Sequence, residues 1–524
     1  MRRTPVAGLA LVLLLAPVLA STAFASPLLT LRHDGGAFAH EDRYLPADAG
    51  LGPGGAATPA RNARVRAASA PGAPARTVRG ELATLLATAA IDQPTHDGYL
   101  RVYADALQTR SKLRGTRRGA LSAALRNLET IAASGELVAS RLPALFETVE
   151  RNREWWSRGP LLGNWQRVSF EGSRLVWQYY AGEGLQIQWL GTFGKANGLW
   201  QGGRYDTALR ELLDEALGLA AQRAGGIAFE YLFRFDAGRP PWVSGMAQGT
   251  AVQALARAAV RLAEPRYFEA ARSALGVFRE PPPAGVRVAT PVGAHYLIYS
   301  FAPGMRVLNA FTQTLNGLDD FALLANDAEG HALFAAGEAQ LRTELAAYDT
   351  GGWSRYSLHR DADLHYHTLA RDFLRNLCTR LTEAQSRGQI TTAAQTGGTP
   401  AAPGGPPPPV SDPTPYCDTA QRFTRDLSQP PQLRLVTARA QAGRPISVAL
   451  DLDKPAFVTI VLRRAGRTVA VLRDRLGSGR RSLRWDHPPR RGGLFGVRLA
   501  GTDLAGNHGA ASGKLRVVRA RARV

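Results

Sequence analysis

The chain has 524 residues, which is too long for one ordinary hydrophobic core, so two or three domains are expected. Its hydrophobic content of 45% is that of a globular protein and excludes a wholly disordered chain. The net charge of +21 indicates either affinity for polyanions or an arginine-rich composition bias, because nearly all the basic residues are arginine. No nucleic-acid recognition motif accompanies this charge, so nucleic acid is not an expected partner.

The first 25 residues have the order of a secretory signal peptide. A basic pair, Arg2 and Arg3, precedes an apolar stretch over residues 6–20, and a small-x-small cleavage signal ends at Ala25. An uncleaved membrane anchor is the alternative, although the apolar stretch is shorter than the about 20 residues that span a bilayer. We therefore expect a secreted or cell-surface protein, with no stable membrane insertion after cleavage.

Residues 26–77 are rich in Ala, Gly, Pro and Arg and lack apolar periodicity, which predicts a disordered spacer. Apolar residues at spacings of three and four then predict a helical region over residues 78–164. Its helices are expected at 99–113, 116–134 and 140–156. Alternation, aromatic residues and glycine turns predict strands within 168–190 and 228–235.

Successive amphipathic helices follow, with Asp206 as the candidate N-cap of the first. They are expected at 206–223, 244–263, 266–278, 305–324, 331–348 and 365–387. Helices paired by short turns predict an α/α toroid, or partial barrel, over residues 165–395, with a strand-containing lead-in. That such folds commonly hold carbohydrate sites in the cup formed by their loops is an argument by analogy of fold.

A Pro/Gly-rich stretch places a linker at residues 396–427, since this composition packs no core. Beyond it, period-two patterning predicts about six or seven short strands, which form an immunoglobulin-like β-sandwich over residues 428–524. This end of the chain carries many arginines and no glutamate. Two interpretations stay open: it holds the protein near an anionic polymer, or it is a stabilising accessory domain.

The two cysteines, Cys378 and Cys417, suggest a disulfide in an oxidising compartment, with two free thiols as the alternative. His365 and His367 flank Tyr366, but a His pair without nearby acidic residues is a weak signal for a metal site. The sequence has no glycine-rich phosphate loop and no GxSxG elbow. Neither a metal nor a cofactor is therefore predicted.

Two segments resemble signatures of the glucuronyl C5-epimerase C-terminal domain, the family that includes heparan-sulfate epimerases. They are YYAGEGLQIQWLGTFGKAN (179–197) and PWVSGMAQGTAVQALARA (241–258). Further segments in the family's order are YSFAPGMRVLNAF (299–311), YDTGGWSRYSL (348–358) and HYHT (365–368). The resemblance covers roughly residues 165–378 and implies a strand-containing lead-in to an α/α toroid.

The family's reaction removes the proton at C5 of a glucuronate residue and returns it on the opposite face of the ring. Because this carbon acid is weak, the site must stabilise an enolate-like state and needs proton carriers on both faces. By their order, the family's catalytic tyrosines correspond to Tyr299, Tyr356 and Tyr366. Neighbouring cations can lower the pKa of such a tyrosine from about 10. Arg355 and Arg360 are candidates for binding the substrate carboxylate.

Four further residues are candidates for contacts with the substrate. Trp242 and Trp353 are candidates for stacking on sugar rings and, equally, for packing in the core. Lys195 and Gln248 lie inside the two sharpest motifs and are candidates for hydrogen bonds to sugar hydroxyls or carboxylates. Gln248 is equally suited to cap a buried backbone group.

One departure from the family concerns the positions just before Tyr299. The heparan enzymes carry acidic residues there, whereas this chain has Leu297 and Ile298. The stretch between Tyr356 and Tyr366 is also shorter than in those enzymes. The resemblance predicts an isomerase that acts on a uronate-containing polysaccharide. A uronate polysaccharide lyase and a non-catalytic anionic-polysaccharide-binding protein are the alternatives, and a homodimer is left open.

Overall fold

The computed structural model describes residues 26–46, 76–395 and 411–518. The predicted signal peptide and its cleavage position after Ala25 lie outside these residues. Among the described helices, none is both long and apolar enough to cross a bilayer. The buried apolar side chains form two large clusters, one in the helical part of the chain and one in its C-terminal strands.

A five-stranded sheet opens the described chain. Its strands are β1 (Ser26–Leu31), β2 (Ala37–Asp42), β3 (Arg167–Phe170), β4 (Trp177–Tyr180) and β5 (Gly184–Ile187), in the order β2-β1-β3-β4-β5. β1 pairs in parallel with β3 and buries Leu28 and Leu31. The prediction of a disordered spacer over residues 26–77 is therefore wrong for residues 26–46. A short strand gains its stability from a partner remote in sequence, which local composition does not reveal.

The predicted helical region of residues 78–164 contains four helices. They are α1 (Val78–Ala87), α2 (Gln93–Lys112), α3 (Gly115–Ala133) and α4 (Leu142–Arg158), with a 3-10 turn at Ala139–Arg141. Helices α3 and α4 pack against β5. The Asn152 side chain of α4 accepts a hydrogen bond from Leu185 N and donates one to Leu185 O, both at 2.8 Å. These bonds fasten the helices to the sheet.

The central part of the chain consists of helical hairpins in two layers. Its helices are α5 (Trp189–Gly202), α6 (Asp206–Gly218), α7 (Gly245–Leu262), α8 (Arg266–Ser273), α9 (Gly276–Arg279), α10 (Leu308–Ala325), α11 (Ala328–Glu344), α12 (Leu364–Gln395) and α13 (Thr414–Asp426). In one layer, α5, α7, α10 and α12 pack side by side; α6, α8, α11 and α13 each cover the helix before them in that layer. The predicted cap Asp206 is instead the first residue of α6, after the N-cap Tyr205, and it pairs with Arg261 at 2.5 Å.

Helices α7 and α10 make the closest contact of the inner layer through glycine. A Cβ added at Gly249 would lie 2.8 Å from the Cα of Thr314, and a Cβ at Gly317 would meet the carbonyl oxygen of Gly249. Only glycine allows two helix backbones to approach in this way. This crossing fixes the position of the N-terminus of α7, beside which the candidate site lies.

Short hairpins join these helices. They are β6 (Ala221–Arg223) with β7 (Gly226–Ala228), β8 (Arg287–Ala289) with β9 (Ala294–Tyr296), and β10 (Arg355–Ser357) with β11 (Arg360–Asp361). A further 3-10 turn spans Leu345–Tyr348. The strand predicted at 228–235 is only partly formed, because β7 ends at Ala228. Beyond it there are isolated bridges, such as that between Tyr231 and Trp242.

Helix α13 corrects the prediction of a linker over residues 396–427, whose first part, 396–410, lies outside the described residues. Tyr416, Ala420 and Phe423 are spaced by four and three residues, as on one helix face, and are buried against α12. A disulfide joins Cys378 of α12 to Cys417 of α13, with a Cα–Cα distance of 5.0 Å. The bridge thus fastens α13 to the helical core; Cys378 lies inside α12, which continues to Gln395.

The C-terminal strands form two sheets that face each other across a separate apolar core. The strands are β12 (Leu433–Leu435), β13 (Arg439–Gln441), β14 (Ile446–Leu452), β15 (Ala456–Arg464), β16 (Arg467–Leu476), β17 (Gly479–Trp485), β18 (Gly493–Asp503) and β19 (His508–Val518). One sheet has the order β12-β14-β17 and the other β13-β19-β18-β15-β16. Alternate residues such as Val448, Val458 and Leu499 fill the space between them.

Candidate active site

Tyr299 follows β9 in a segment tied to the start of α7. Ser300 N donates to Val243 O at 3.0 Å, and Leu297 O accepts a hydrogen bond of 3.0 Å from the first residue of α7. Leu297 and Ile298 are both buried. The two positions at which the heparan enzymes carry acids are thus buried apolar wall in this chain.

The ring of Tyr299 lies in an aromatic cluster. It stacks on Phe301 with ring centroids 5.2 Å apart, and it contacts Phe235 at 5.5 Å and the edge of Trp242 at 5.7 Å. Only 4% of the side chain surface is exposed. This packing holds the ring in place. The hydroxyl is the only polar atom of the side chain.

Tyr356 is carried by the β10–β11 hairpin. Ser357 forms a backbone bridge to Val307, just before α10. In the antiparallel register of the hairpin, Arg355 lies opposite Asp361. The Tyr356 ring is buried, and its centroid lies 4.7 Å from that of Tyr366. The hairpin thereby brings Tyr356 onto the start of α12.

Tyr366 lies in the first turn of α12. The Oδ1 atom of Asp363 accepts a hydrogen bond of 2.9 Å from the backbone N of Tyr366, and the Asp363 carbonyl accepts one of 2.9 Å from His367 N. Asp363 therefore acts as the N-cap of α12. The cap fixes the backbone from which Tyr366 projects towards Tyr356.

Tyr299 and Tyr356 influence each other's ionisation. Burial raises the pKa of Tyr356 to about 12, and Tyr299 and the cation of Arg360 offset only part of this rise. The net lowering of a tyrosine pKa by neighbouring cations, considered from the sequence, is therefore not found at Tyr356. Burial raises the pKa of Tyr299 well above its usual value, and Tyr356 and Tyr366 raise it further. Tyr356 is thus the more easily ionised member of this pair.

The two arginines of the hairpin have different surroundings. Arg360 is exposed, and its Cζ lies 5.5 Å from the centroid of the Tyr356 ring. Arg355 is half-buried, and its Nη1 donates to Leu358 O at 3.1 Å, inside the hairpin. Arg360 is therefore the cation placed at the tyrosines, whereas Arg355 stabilises the turn.

The structure places both candidate tryptophans in packing positions and not on an open sugar-binding surface. Trp242 is 1% exposed and stacks on Tyr231, with centroids 4.4 Å apart. Trp353 is fully buried and stacks on His367 at 3.8 Å. Their indole N–H groups donate to the carbonyls of Phe233 and Ala362. Neither face of these rings is available to a sugar, because each ring is covered by its neighbours.

The polar residues of the two sharpest motifs are likewise committed to the protein. The Gln248 amide accepts from Phe229 N at 3.2 Å and donates to the carbonyls of Ile227 (3.0 Å) and Ala274 (3.1 Å). Lys195 Nζ forms an ion pair of 3.0 Å with Asp42 of β2. Gln248 and Lys195 therefore bind other parts of the protein in place of the expected substrate. For Gln248, the structure agrees with the alternative expectation that it caps buried backbone groups.

The His pair has no metal-ligand arrangement. His367 Nδ1 pairs with Ser354 Oγ at 2.8 Å and Nε2 with Phe423 O at 3.0 Å, and burial lowers the pKa of His367 to about 4. The His365 ring contacts the edge of Tyr366 at 5.5 Å. Over residues 26–46, 76–395 and 411–518, no three His, Cys, Asp or Glu side chains are grouped as metal ligands.

Sequence reasoning missed two residues near the tyrosines. Asp363, three positions before Tyr366, has the spacing of an N-cap, and this signal was available. Its negative charge raises the pKa of Tyr356. Tyr180 lies within the first motif, raises the pKa of Tyr299, and accepts a hydrogen bond of 3.3 Å from Gln188 Nε2. No sequence spacing relates Tyr180 to Tyr299, because they meet only through the fold.

The C-terminal sandwich contacts the hairpin that carries Tyr356. Asp361 of β11 accepts hydrogen bonds from Ser478 N (2.7 Å) and Ser478 Oγ (2.8 Å). Thr350, which precedes the hairpin, donates to Asp453 O at 3.0 Å. Lys454 is buried and donates to the backbone carbonyls of Asp426, the last residue of α13, and of Gln429 beyond it. The sandwich therefore stabilises the hairpin from outside the helical core.

The sequence model described as the D-glucuronyl C5-epimerase C-terminus matches residues 223–388. These residues contain Tyr299, Tyr356, Tyr366 and both hairpin arginines. A curated D-glucuronyl C5-epimerase of Caenorhabditis elegans is 33% identical over 136 residues, which cover 24% of this chain and 22% of that protein. Over residues 223–388, which we call the epimerase-family segment, the chain is similar to D-glucuronyl C5-epimerases. Lys195 and the C-terminal sandwich lie outside the epimerase-family segment.

The chain spans about a fifth of the length of the curated epimerase that it matches. Solved structures add only a weak likeness. An unsaturated glucuronyl hydrolase specific for heparin is 12% identical, with 46% of this chain and 60% of that chain covered and a TM-score of 0.31. An endo-β-1,4-glucanase from Acetobacter xylinum is 15% identical, with 32% and 50% covered and a TM-score of 0.25. Likeness at this level supports no conclusion about this chain.

Proposed function

We propose that this protein epimerises glucuronate-type residues at C5 within an extracellular polysaccharide, as a cofactor-independent isomerase. One observation carries the proposal: Tyr299, Tyr356 and Tyr366, from three separate segments of the epimerase-family region, meet in one cluster beside Arg360. Their convergence is not imposed by local sequence, because Tyr299 is more than 50 positions from the other two.

The first task of such a site is to acidify the C5 proton. Arg360 is exposed at the hairpin, so its guanidinium can form a bidentate pair with the carboxylate attached to C5. Neutralising that carboxylate stabilises the enolate-like state in which the electron pair of the broken C5–H bond is delocalised. Arg360 is therefore assigned to carboxylate binding in this proposal.

The second task is to move the proton between faces. Tyr356 is the more easily ionised of Tyr299 and Tyr356, because Tyr299 and Arg360 offset part of the rise that burial causes in its pKa. In the proposed reaction, the Tyr356 phenolate takes the C5 proton and the hydroxyl of Tyr366 donates a proton to the opposite face. The reverse reaction on the epimer, or exchange with water, restores the starting protonation states.

The proposal also extends to location and architecture. Secretion is supported by the sequence of the first 25 residues and by the disulfide between Cys378 and Cys417. An α/α partial barrel is supported by the two layers of paired helices. An immunoglobulin-like type for the sandwich is supported by its strand order, with three strands in one sheet and five in the other.

Incubation of the full protein with a panel of uronate polymers in heavy water tests the proposal. Deuterium at C5 without chain cleavage is the expected result. An unsaturated uronate product would identify a lyase and overturn the epimerase assignment. Binding without any exchange would identify a non-catalytic polysaccharide-binding protein, which the apolar Leu297 and Ile298 favour as the second candidate.

A further inference from the structure

The outer face of the five-stranded sheet in the sandwich is a row of cations. In β15, buried residues alternate with outward ones, and the register places the outward residues of β16, β18 and β19 beside them. We call this surface the basic face. Its cations are Arg463, Arg473, Arg475, Arg498, Lys514 and Arg516, all of them exposed.

Within the described residues, none of the cations of the basic face forms an ion pair. By register, the outward residues of β15, β16, β18 and β19 include no acidic one. The exposed Asp474 of β16 lies opposite the inward Val458, and its carboxylate accepts a hydrogen bond from Arg475 N. The outer face of the three-stranded sheet differs: Arg434 and Arg480 both pair with Asp451, and Arg484 pairs with Asp486. Both outer faces thus carry arginines, but within the described residues only those of the three-stranded sheet are paired with carboxylates.

The shape of the basic face suits an extended chain. Small side chains line its middle, where the register sets Thr459 beside Ala500 and Ala500 beside Ala510. At one end, Phe457 is 57% exposed, with the Cζ of Arg475 at 5.8 Å from its ring centroid. An exposed aromatic ring beside a cation offers an apolar surface for the C–H face of a sugar next to a charge for its carboxylate.

The position of the basic face relates it to the candidate active site. Phe457 and Arg475 are each three residues from the turns that contact the helical part, at Lys454 and Ser478. Ser478 holds Asp361 of the hairpin that carries Tyr356 and Arg360. The basic face therefore begins where the sandwich contacts the catalytic hairpin.

We propose that the basic face binds an acidic polysaccharide through its uronate carboxylates and holds the polymer next to the helical domain. The inference rests on the proposed function, because it takes the bound polymer to be the substrate. Exposed guanidinium groups match carboxylates in a bidentate way. Their unneutralised field concentrates a polyanion at the surface, and salt weakens the interaction.

The test measures binding of the full protein to immobilised heparosan, an unsulfated polymer of glucuronate and N-acetylglucosamine. The face variant carries Arg473→Ala, Arg475→Ala and Arg498→Ala. Its matched control carries Arg434→Ala, Arg480→Ala and Arg484→Ala, which removes the same charge from the opposite sheet. Carboxyl-reduced heparosan and duplex DNA serve as comparison ligands.

We expect the face variant to bind heparosan about tenfold or more weakly, since three carboxylate contacts of modest strength are lost. The control variant should bind like the wild type, and carboxyl-reduced heparosan should bind weakly. Both triple variants should melt like the wild type, because the substituted side chains are exposed. Face-dependent binding without C5 exchange would support the basic face and remove the proposed function.

Several results would overturn the inference. Equal weakening in both triple variants would show an effect of net charge alone. Undiminished binding by the face variant would show that the polymer binds elsewhere. C5 exchange without measurable binding to the basic face would support the proposed function and contradict the inference. Tighter, face-dependent binding of DNA than of heparosan would identify a nucleic-acid surface.

Discussion

At the start of α7, polar side chains are hydrogen-bonded to backbone groups, whereas at the β10–β11 hairpin and the start of α12, tyrosine rings pack against each other. Gln248 bonds to three backbone groups that belong to other segments. Tyr356 and Tyr366 instead have rings 4.7 Å apart, with Arg360 beside them. Both regions belong to the epimerase-family segment, and the motif that contains Gln248 is the sharper of the two in the sequence.

Under the proposed function, this difference separates the residues that maintain the site from those proposed to carry out the chemistry. A buried amide that satisfies backbone donors and acceptors has no hydrogen-bonding capacity left for a substrate. Gly249 serves the same purpose sterically by admitting the backbone of α10. The tyrosine cluster has protons to exchange and a neighbouring cation. A specific sequence motif therefore indicates the family. The hydrogen-bond and packing partners of a side chain indicate what that side chain does.

The largest expected effect concerns the hydroxyls. Tyr356→Phe and Tyr366→Phe should each lower the rate of C5 exchange by about 10²–10⁴-fold, which is typical for loss of a general acid or base. The melting temperature should change little, because only one hydroxyl is removed. Tyr296→Phe is the matched control: its hydroxyl donates to Leu333 O at 2.7 Å, so it should lose some stability and keep its rate.

The reverse pattern is expected at the helix crossing. Gly249→Ala places a Cβ 2.8 Å from the Cα of Thr314, so the two helices must separate. Urea unfolding should show a loss of about 1–3 kcal/mol. Gly218→Ala, near the end of α6 with nothing within 4 Å, should be neutral or slightly stabilising. Equal stabilities for both variants would contradict the proposed crossing.

A smaller effect is expected at the contact between hairpin and sandwich. Ser478→Ala removes the hydroxyl that donates to Asp361 Oδ1, while the backbone donor remains. The exchange rate should fall a few-fold, and the unfolding free energy should drop by about 1 kcal/mol. Ser482→Ala, on the exposed part of β17, is the control and should change neither quantity. A wild-type exchange rate for Ser478→Ala would show that the sandwich does not position Tyr356.

The smallest effect depends on pH. Burial raises the pKa of Asp426, at the end of α13, to about 6. Because this folded-state pKa lies above the unfolded value, the wild type loses stability as the pH rises through 6. Asp426→Asn cannot ionise, so it should be more stable by about 1 kcal/mol above pH 6. The stability difference between Asp426→Asn and the wild type should disappear as the pH falls towards 4. Thermal melts between pH 4 and 7 measure it. A stability difference that does not depend on pH would contradict the raised pKa of Asp426.

The order of helices and strands in the central and C-terminal regions was predictable, because their apolar periods are long and regular. The strands at 26–42 were not, since β1 depends on β3 some 140 positions away. Helix α13 was obscured by the Pro-rich residues before it, although Tyr416, Ala420 and Phe423 had helical spacing. Among the candidate residues, Trp242 and Gln248 stayed open between substrate contact and a structural role, and Lys195 was a candidate for substrate contact. Sequence does not show which partners already occupy a side chain.

The most direct test of the account compares C5 deuterium incorporation per folded molecule for Tyr356→Phe and Gln248→Ala, below the melting temperature of both. Tyr356→Phe should be fully folded and slower by about 10²-fold or more. Gln248→Ala should be less stable by about 1–3 kcal/mol, because buried backbone groups lose partners, yet its folded fraction should exchange at nearly the wild-type rate. A folded Gln248→Ala protein without exchange, beside an active Tyr356→Phe protein, would contradict the division between scaffold and chemistry.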